Sequence, residues 1–337
     1  MATTYSANDE KKGNNLFLTL VRFRELSIMI IILLLVILVS IRNPAFLSIE
    51  NFRDILLNIS ILVIVALAQT MVIITRGIDL SVGSMIGLVA MMVAFVTVSF
   101  PEMSPLVAVL LGMAIGSCLG AFNGFLITMG GVPPIIATLG TLSIYRGLIF
   151  VYSGGQWVNS YEMPDGFRAL AKGAPLGIPN IILIAAVVAV LVHLFLNFTR
   201  PGRDIYTIGS NPDAAKVAGV NVTRTTFMVY VISGVLCGLA AVLWASRFES
   251  AQTNTALGFE LQSVAASVVG GVSILGGSGS VLGVVLGAFL LGIIENALTL
   301  VRISPFWQLA AQGLLILTAV IVDSAISRRL QRFGGES

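Results

Sequence analysis

Long apolar runs alternate with short polar intervals along almost the whole chain. A helix needs about 20 apolar residues to cross a bilayer, and runs near that length recur. The pattern predicts ten transmembrane helices, at residues 24–41, 55–75, 83–100, 105–128, 133–152, 179–198, 226–246, 262–277, 281–301 and 306–323. The eighth is short and interrupted by glycine, so a half-span or re-entrant segment is an alternative there. The predicted fold class is an all-α, polytopic membrane protein.

The composition agrees with this apolar pattern. Hydrophobic residues make up 57% of the 337 residues and charged residues 10%, whereas a soluble domain has about 25% charged residues. The net charge of +3 is small and gives no indication of nucleic-acid binding. Cys118 and Cys237 both lie inside apolar runs, so we expect small core residues rather than a disulfide or a metal site.

The basic residues predict how the chain is oriented in the membrane. With the N-terminus in the cytoplasm, the inner segments hold 12 Lys and Arg residues and the outer segments hold six. Cytoplasmic loops carry such an excess in membrane proteins. We therefore expect a cytoplasmic N-terminal tail over 1–25, a transmembrane domain over 26–325 and a cytoplasmic C-terminal tail over 326–337.

The polar interval at 199–224 has a strong basic excess and lies between two apolar spans. Within it, residues 212–217 predict one short helix, with Asn211 or Ser210 as its N-cap and Gly219 as its stop. A short helix held outside the bilayer is well placed to contact another protein. We therefore predict a cytoplasmic partner surface here.

The segment at 75–84 joins the second and third predicted spans and contains Arg76, Gly77 and Asp79. One interpretation is an inner turn, in which Asp79 and Ser81 cap the next helix. In that turn, Asp79 would form a surface ion pair with Arg76. The alternative interpretation is a gate at the cytoplasmic mouth of a transport path.

Several polar residues lie inside the predicted spans, where a charge costs about 2.5–3.5 kcal/mol and usually faces a cavity or a partner. Arg146 lies near the outer end of the fifth span. It either extends outward to the interface or lines a polar path for a hydroxylated solute. The candidate path residues are Asn58, Gln69, Asn123, Thr141, Arg146 and Glu295.

Gly112, Gly116, Gly120 and Gly124 recur every four residues in the fourth span, so they share one helix face. Close helix packing is one explanation of this face. A pore lined by bare backbone is the other.

A short repeat relates the two halves of the chain. The sequence LGAF occurs at 119–122 in the fourth span and again at 286–289 in the ninth. The two spans have opposite directions in the predicted topology. An inverted repeat of spans two to five and seven to ten is therefore possible, a plan found in many transporters.

The sequence also lacks several chemistries. It has no Gly-x-x-x-x-Gly-Lys-Ser/Thr phosphate loop, no His/Cys cluster and no Gly-x-Ser-x-Gly motif. We therefore expect no enzyme, no cofactor and no metal. Two classes of transporter stay open: a subunit driven by a partner ATPase, and a secondary transporter driven by an ion gradient. Glu295 is the one candidate carboxylate for the second class.

Four segments resemble the ribose-type permeases of ABC importers, and they follow that family's order. They are TRGIDLSVG at 75–83, IATLGTL with YRG at 136–147, GRDIYTIGSNPDAAKVAGV at 202–220 and VGGVSILGGSG at 269–279. The third is similar to the family's cytoplasmic coupling segment. The resemblance implies a type II-like importer permease with about ten helices, in the bacterial plasma (inner) membrane, with both termini cytoplasmic.

The resemblance also implies partners. They are a second permease copy or a paralogue, two ATP-binding subunits that carry the ATPase activity, an extracytoplasmic solute-binding protein, and membrane lipid. The solute would be a monosaccharide, such as a pentose or a deoxyhexose, or autoinducer-2. By match to the family motif, the contact with the ATPase is carried by Gly202, Arg203, Gly209, Asn211, Ala214, Ala215 and Gly219.

Three further segments are more similar to the rhamnose and autoinducer-2 importer permeases than to the ribose permease. They are YRG at 145–147, SGGQW at 153–157 and VRISPFW at 301–307.

Overall fold

A computed structural model describes residues 24–175 and 177–302, with isolated residues between 304 and 321. Two short 3₁₀-helices, Pro44–Leu47 and Ser160–Glu162, accompany the α-helices of this part of the chain. The α-helices are α1 (Arg24–Arg42), α2 (Ile49–Ile74), α3 (Val82–Ser99), α4 (Pro105–Thr128), α5 (Pro134–Ser153), α6 (Asp165–Lys172), α7 (Asn180–Phe198), α8 (Arg200–Ser210), α9 (Pro212–Val217), α10 (Val222–Phe248), α11 (Phe259–Val269) and α12 (Val281–Leu300).

Eight of these helices are long and apolar enough to cross a membrane: α1 to α5, α7, α10 and α12. The all-α polytopic fold class is confirmed. The predicted full span at 262–277 is wrong, because α11 has 11 residues and ends at Val269; the half-span alternative fits. The predicted span at 306–323 and both predicted tails lie largely outside the described residues, so the inverted repeat stays a prediction.

Helix α2 lies at the centre of the bundle. All residues from 59 to 74 are buried, as expected for a helix with neighbours on every side. In its most apolar window, 89% of the residues are buried, against 6% for α1. Helices α7, α10, α11 and α12 all contact α2, whereas α1 packs on α12 at the periphery. The C-terminal end of α2 therefore leads directly from the core into the next turn.

Helices α4 and α10 approach each other through glycines on both sides. A Cβ atom added to Gly116 would lie 2.2 Å from the carbonyl oxygen of Gly234, and one on Gly120 would lie 2.9 Å from the Gly234 Cα. Gly238 and Gly112 make the same approach one turn away, where a Cβ on Gly238 would meet the Gly112 oxygen at 2.2 Å. Close helix packing is confirmed, and the alternative of a backbone-lined pore on this face is wrong.

The segment between α5 and α7 is fastened to the C-terminal end of α10. The Ser246 hydroxyl accepts a hydrogen bond from Ala171 N at 2.9 Å and donates one to Phe167 O at 2.8 Å. Lys172 Nζ lies 2.6 Å from Glu249 Oε1. These contacts hold α6 against the C-terminal end of α10.

The Lys172–Glu249 contact gives this segment a pH dependence. Hydrogen bonds from Lys172 and then from Ser160 lower the pKa of the Glu249 carboxyl. A carboxyl whose folded-state pKa is depressed stabilises the fold at neutral pH and loses that contribution as pH falls through the folded pKa. We expect amide exchange in α6, corrected for intrinsic rates, to accelerate as the pH falls below the ordinary carboxyl pKa of 4.5. Glu249→Gln should show the faster exchange already at neutral pH; identical profiles would contradict this role.

Candidate coupling junction and polar cavity

The polar interval at 199–224 folds as two consecutive helices rather than a loop with one helix. Helix α8 begins after Thr199, whose hydroxyl accepts a hydrogen bond from Gly202 N at 3.1 Å. Pro201 lies in its first turn, where its fixed φ suits a helix. These two residues are the sequence signal for α8 that the prediction missed.

The short helix α9 forms as predicted. Asn211 is its N-cap, and its side-chain oxygen accepts from Asp213 N and Ala214 N at 3.0 Å each. Gly219 has a φ of 83°, a conformation that favours glycine, and it ends the helix. Val220 N then donates back to Ala215 O at 3.0 Å, which closes the C-terminal turn.

The two helices divide the predicted coupling residues into two groups. Gly202, Gly209 and Ala215 are buried within the chain, so they shape the segment. The other four, Arg203, Asn211, Ala214 and Gly219, are exposed. Val217 was not predicted, yet it is 91% exposed on α9. The face that a partner could touch therefore includes Arg203, Ala214 and Val217.

Arg76 ties α8 to the turn between α2 and α3. Its Nε donates to Gly209 O and its Nη2 to Ser210 O, both at 2.7 Å. The last carbonyls of a helix have no partner within the helix, and a cation there also interacts favourably with the helix dipole. Arg76 has a φ of 66°, a left-handed conformation that is uncommon for a residue other than glycine.

The loop before α12 joins the same contact. Gly277 N donates to Ile74 O at 3.0 Å, and Tyr206 Oη donates to Gly279 O at 2.9 Å. A Cβ atom on Gly209 would lie 1.8 Å from Ile74 O and 2.4 Å from Gly277 N, so backbone meets backbone with no room for a side chain. We call residues 74–77, 206–210 and 276–279 the coupling junction.

Asp79 lies in a buried polar cluster beyond the junction. Its Oδ1 accepts from Ser81 N at 2.9 Å and from Ser81 Oγ at 2.6 Å. With its amide oriented to satisfy both partners, Gln69 accepts from Asp79 N at 3.0 Å and donates to Asp79 O at 3.2 Å. Asn123 donates to Ser81 Oγ at 2.8 Å and accepts from Tyr145 Oη at 3.3 Å. The cluster joins α2, α3, α4 and α5.

The surface ion pair expected between Arg76 and Asp79 is wrong. Asp79 is fully buried and faces the bundle, whereas the Arg76 side chain leads to α8. Gly77 lies between them, and a Cβ there would come within 2.7 Å of Tyr230 Oη. The turn therefore connects the surface segment on one side with the buried polar cluster on the other.

The six candidate path residues do not line a single path. Gln69 and Asn123 belong to the Asp79 cluster. Thr141 is buried and donates to Thr138 O of its own helix at 3.3 Å. Arg146 donates to Thr255 O at 2.9 Å and to Thr253 O at 3.4 Å, so it fastens the connection between α10 and α11 to α5.

Asn58 and Glu295, the remaining two, line one polar cavity of about 280 Å³ between α2, α10, α11 and α12. The sequence prediction missed Trp244 and Gln262, which also line it. The described lining is Asn58, Ile59, Leu62, Trp244, Leu257, Phe259, Gln262, Gly292 and Glu295.

The fold defines a polytopic membrane protein. The family described as "branched-chain amino acid transport system / permease component" matches residues 51–320, and the chain belongs to this family.

Curated relatives match along most of the chain. The ribose import permease protein of Bacillus subtilis (strain 168) is 39% identical over 290 residues, which is 86% of this chain and 89% of the relative. Its counterpart in Escherichia coli (strain K12) is 37% identical over 298 residues, 88% of this chain and 92% of the relative.

The autoinducer 2 import system permease protein of Enterobacter sp. (strain 638) is 36% identical over 314 residues, 93% of this chain and 90% of the relative. No solved structure matches the chain. The resemblance to ribose-type import permeases is confirmed, and the ion-gradient alternative finds no support among these relatives.

Proposed function

We propose that the chain is the transmembrane permease subunit of an ATP-driven ABC importer. It carries a small hydroxylated solute, such as a pentose, a deoxyhexose or autoinducer-2, that an extracytoplasmic binding protein delivers. The relatives named for ribose and autoinducer 2 import support this solute class. ATP hydrolysis belongs to two separate ATP-binding subunits, and a second permease copy or a paralogue completes the membrane part.

The observation that carries the proposal is the connection from α9 through α8 to the coupling junction. Helix α9 presents exposed residues at one end of the bundle. Because it is capped at both ends, it offers a rigid docking surface to an ATP-binding subunit. Helix α8 links that surface to Arg76 and, through Tyr206, to Gly279. A displacement of α9 would therefore reach α2, α3 and α12 together.

The charges support a cytoplasmic position for this end. Arg200, Arg203, Lys216 and Arg224 all lie on or beside α8 and α9, as the positive-inside rule requires of a cytoplasmic segment. The cavity and α6 then lie at the outer end, where a binding protein would dock. Both termini would be cytoplasmic.

The contact with membrane lipid is supported by apolar side chains on the outside of the bundle. Leu38 on α1, Val151 on α5 and Leu191 on α7 are 65%, 79% and 58% exposed. Surfaces of this kind are compatible with hydrocarbon and not with water.

The coupling surface is tested by two substitutions on its exposed face. We expect Val217→Asp to reduce copurification of the ATP-binding subunit about thirtyfold, the effect of removing a central interface residue. We expect Arg203→Glu to reduce it about tenfold, because it reverses a charge. Tyr161→Asp is the matched control, since Tyr161 is 85% exposed at the other end of the bundle.

The measurement is a mild-detergent pull-down from the native membrane, with bound proteins identified by mass. An unchanged yield in both variants would refute the coupling surface. Failure of the unaltered chain to retain any ATP-binding subunit, where a control importer stays intact, would refute the importer assignment itself.

A further inference from the structure

The polar cavity lies at the end of the bundle opposite the coupling junction. Asn58 lies in the first half of α2, whose last residue, Ile74, belongs to the junction. Trp244 and Gln262 lie near the end of α10 and the start of α11. In the proposed orientation, this cavity lies in the outer half of the bundle, on the side from which a binding protein delivers the solute.

The polar groups of the cavity suit hydroxyl ligands. Glu295 supplies carboxylate oxygens, which accept hydrogen bonds, while the amides of Gln262 and Asn58 both donate and accept. Gln262 Nε2 donates to Glu295 Oε1, so two helices hold these side chains in a fixed relation. A sugar hydroxyl also donates and accepts, and neighbouring hydroxyls could bind such a paired amide and carboxylate together.

Aromatic side chains, those of Trp244 and Phe259, line the same cavity. The Trp244 ring packs edge-on against Phe259 with centroids 5.1 Å apart, and its other neighbour, Phe248, is 4.9 Å away. The indole is therefore held in one orientation. Sugar rings expose C–H faces that pack on aromatic rings, and a pocket with one apolar wall and a few polar groups is typical of small-molecule sites.

The charged groups and the volume of the cavity further limit which ligands it can bind. Glu295 is the charged residue among the described lining. The nearby Arg247 contacts the lining through Asn58: its Nη2 donates to Asn58 Oδ1 at 2.6 Å, and its guanidinium lies over Phe248. A cavity of about 280 Å³ is at the lower limit of small-molecule pockets, about 300 Å³.

We propose that this cavity is a solute-binding site within the permease itself, selective for a polyhydroxylated molecule of monosaccharide size. Glu295, Gln262 and Asn58 bind its hydroxyls, and Trp244 packs against its C–H face. The assignment rests on the importer function proposed above and names where the permease recognises its solute. It also disfavours a branched-chain amino acid, because the aliphatic side chain of such a solute has no hydroxyl for the paired amide and carboxylate to bind.

The test is saturation-transfer NMR on the full chain in lipid nanodiscs, with D-ribose, L-rhamnose and L-leucine as probes. We expect transfer to the C–H protons of at least one sugar and none to leucine. Glu295→Gln should weaken sugar binding about tenfold, as expected for a hydrogen bond to a charged group. Trp244→Leu should do the same, while Trp244→Phe keeps most of the binding. Asp165→Asn is the control and should change nothing, because this exposed carboxylate on α6 pairs with Arg168 and does not line the cavity.

A further variant separates a loss of sugar binding from a loss of folding. Leu257 is 71% exposed at the cavity mouth, so Leu257→Trp should fold normally and block sugar binding by bulk. Transfer to leucine alone, to no probe, or equally in all variants would overturn the site. If the ATP-binding subunit still copurifies in that case, the importer function stands and the cavity assignment alone fails. If it does not copurify with the unaltered chain, the importer function fails independently.

Discussion

Replacing Gly116 by leucine is expected to prevent the bundle from assembling. A Cβ atom at this position would lie 2.2 Å from Gly234 O and 2.8 Å from Gly238 Cα, and these are backbone atoms of a long, packed helix. Overpacking costs about 1–3 kcal/mol when side chains can adjust; here the helices themselves must separate, so the loss should be at least about 3 kcal/mol. Size-exclusion chromatography in mild detergent, with a fluorescent tag, measures the folded fraction.

Helix α5 offers the matched control. Gly140 and Gly147 are also helical glycines in an apolar span, yet no atom lies within 4 Å of a Cβ built on either. Alanine is about 1 kcal/mol better than glycine in a helix, so Gly140→Ala and Gly147→Ala should leave stability unchanged or raise it. Equal yields of Gly116→Leu and Gly140→Ala would show that α4 and α10 are not in backbone contact.

Replacing Arg76 by glycine is expected to abolish coupled transport while the protein stays folded. Glycine adopts the φ of 66° without strain, so the turn keeps its shape. The carbonyls of Gly209 and Ser210 lose charge-assisted hydrogen bonds, each of which contributes about 1.5–3 kcal/mol. We expect ATP hydrolysis to continue and ATP-driven uptake in proteoliposomes to fall at least tenfold.

A second arginine provides a control of the same chemistry. Arg302 follows α12 and also has a left-handed backbone, with a φ of 59°, but it lies at the other end of the bundle. Arg302→Gly makes the identical change away from the coupling junction and should preserve uptake. If both variants lose uptake equally, or neither does, Arg76 does not transmit motion from α8.

The membrane spans and α9 could be predicted because their signals are local. An apolar run of span length has few alternative structures. Asn211 is a strong N-cap residue at the start of α9, and Gly219 is a strong stop signal at its end. Helix α8 could not be predicted from the sequence, because Gly202 and Gly209 lower helix propensity and suggest a loop. Gly202 is required by contact with the backbone of Phe195 near the end of α7, and Gly209 by contact with the backbone of Ile74, which is distant in sequence. No local pattern reveals these contacts.

The candidate site shows the same limit. Arg76 and Asp79 are three residues apart, and spacing alone favoured a pair, but the left-handed backbone at Arg76 sends the two side chains in different directions. Asn58 and Glu295 were recognised as polar residues within spans, and the packing of α12 on α2 brings them together. Trp244 was missed because an aromatic residue in an apolar run usually indicates packing, and only its place in the same cavity lining as Glu295 distinguishes it.

The shortness of α11 has a consequence for how the protein enters the membrane. Its 11 residues rise about 16 Å at 1.5 Å per residue, half of a hydrocarbon core about 30 Å thick. The chain after it turns on itself, with Ser273 N donating to Ser278 O at 3.0 Å. Non-helical backbone is tolerated at membrane depth only where protein surrounds it. Helix α11 should therefore be unable to leave the translocon alone and should insert as a unit with α12, against an α2 that is already in place.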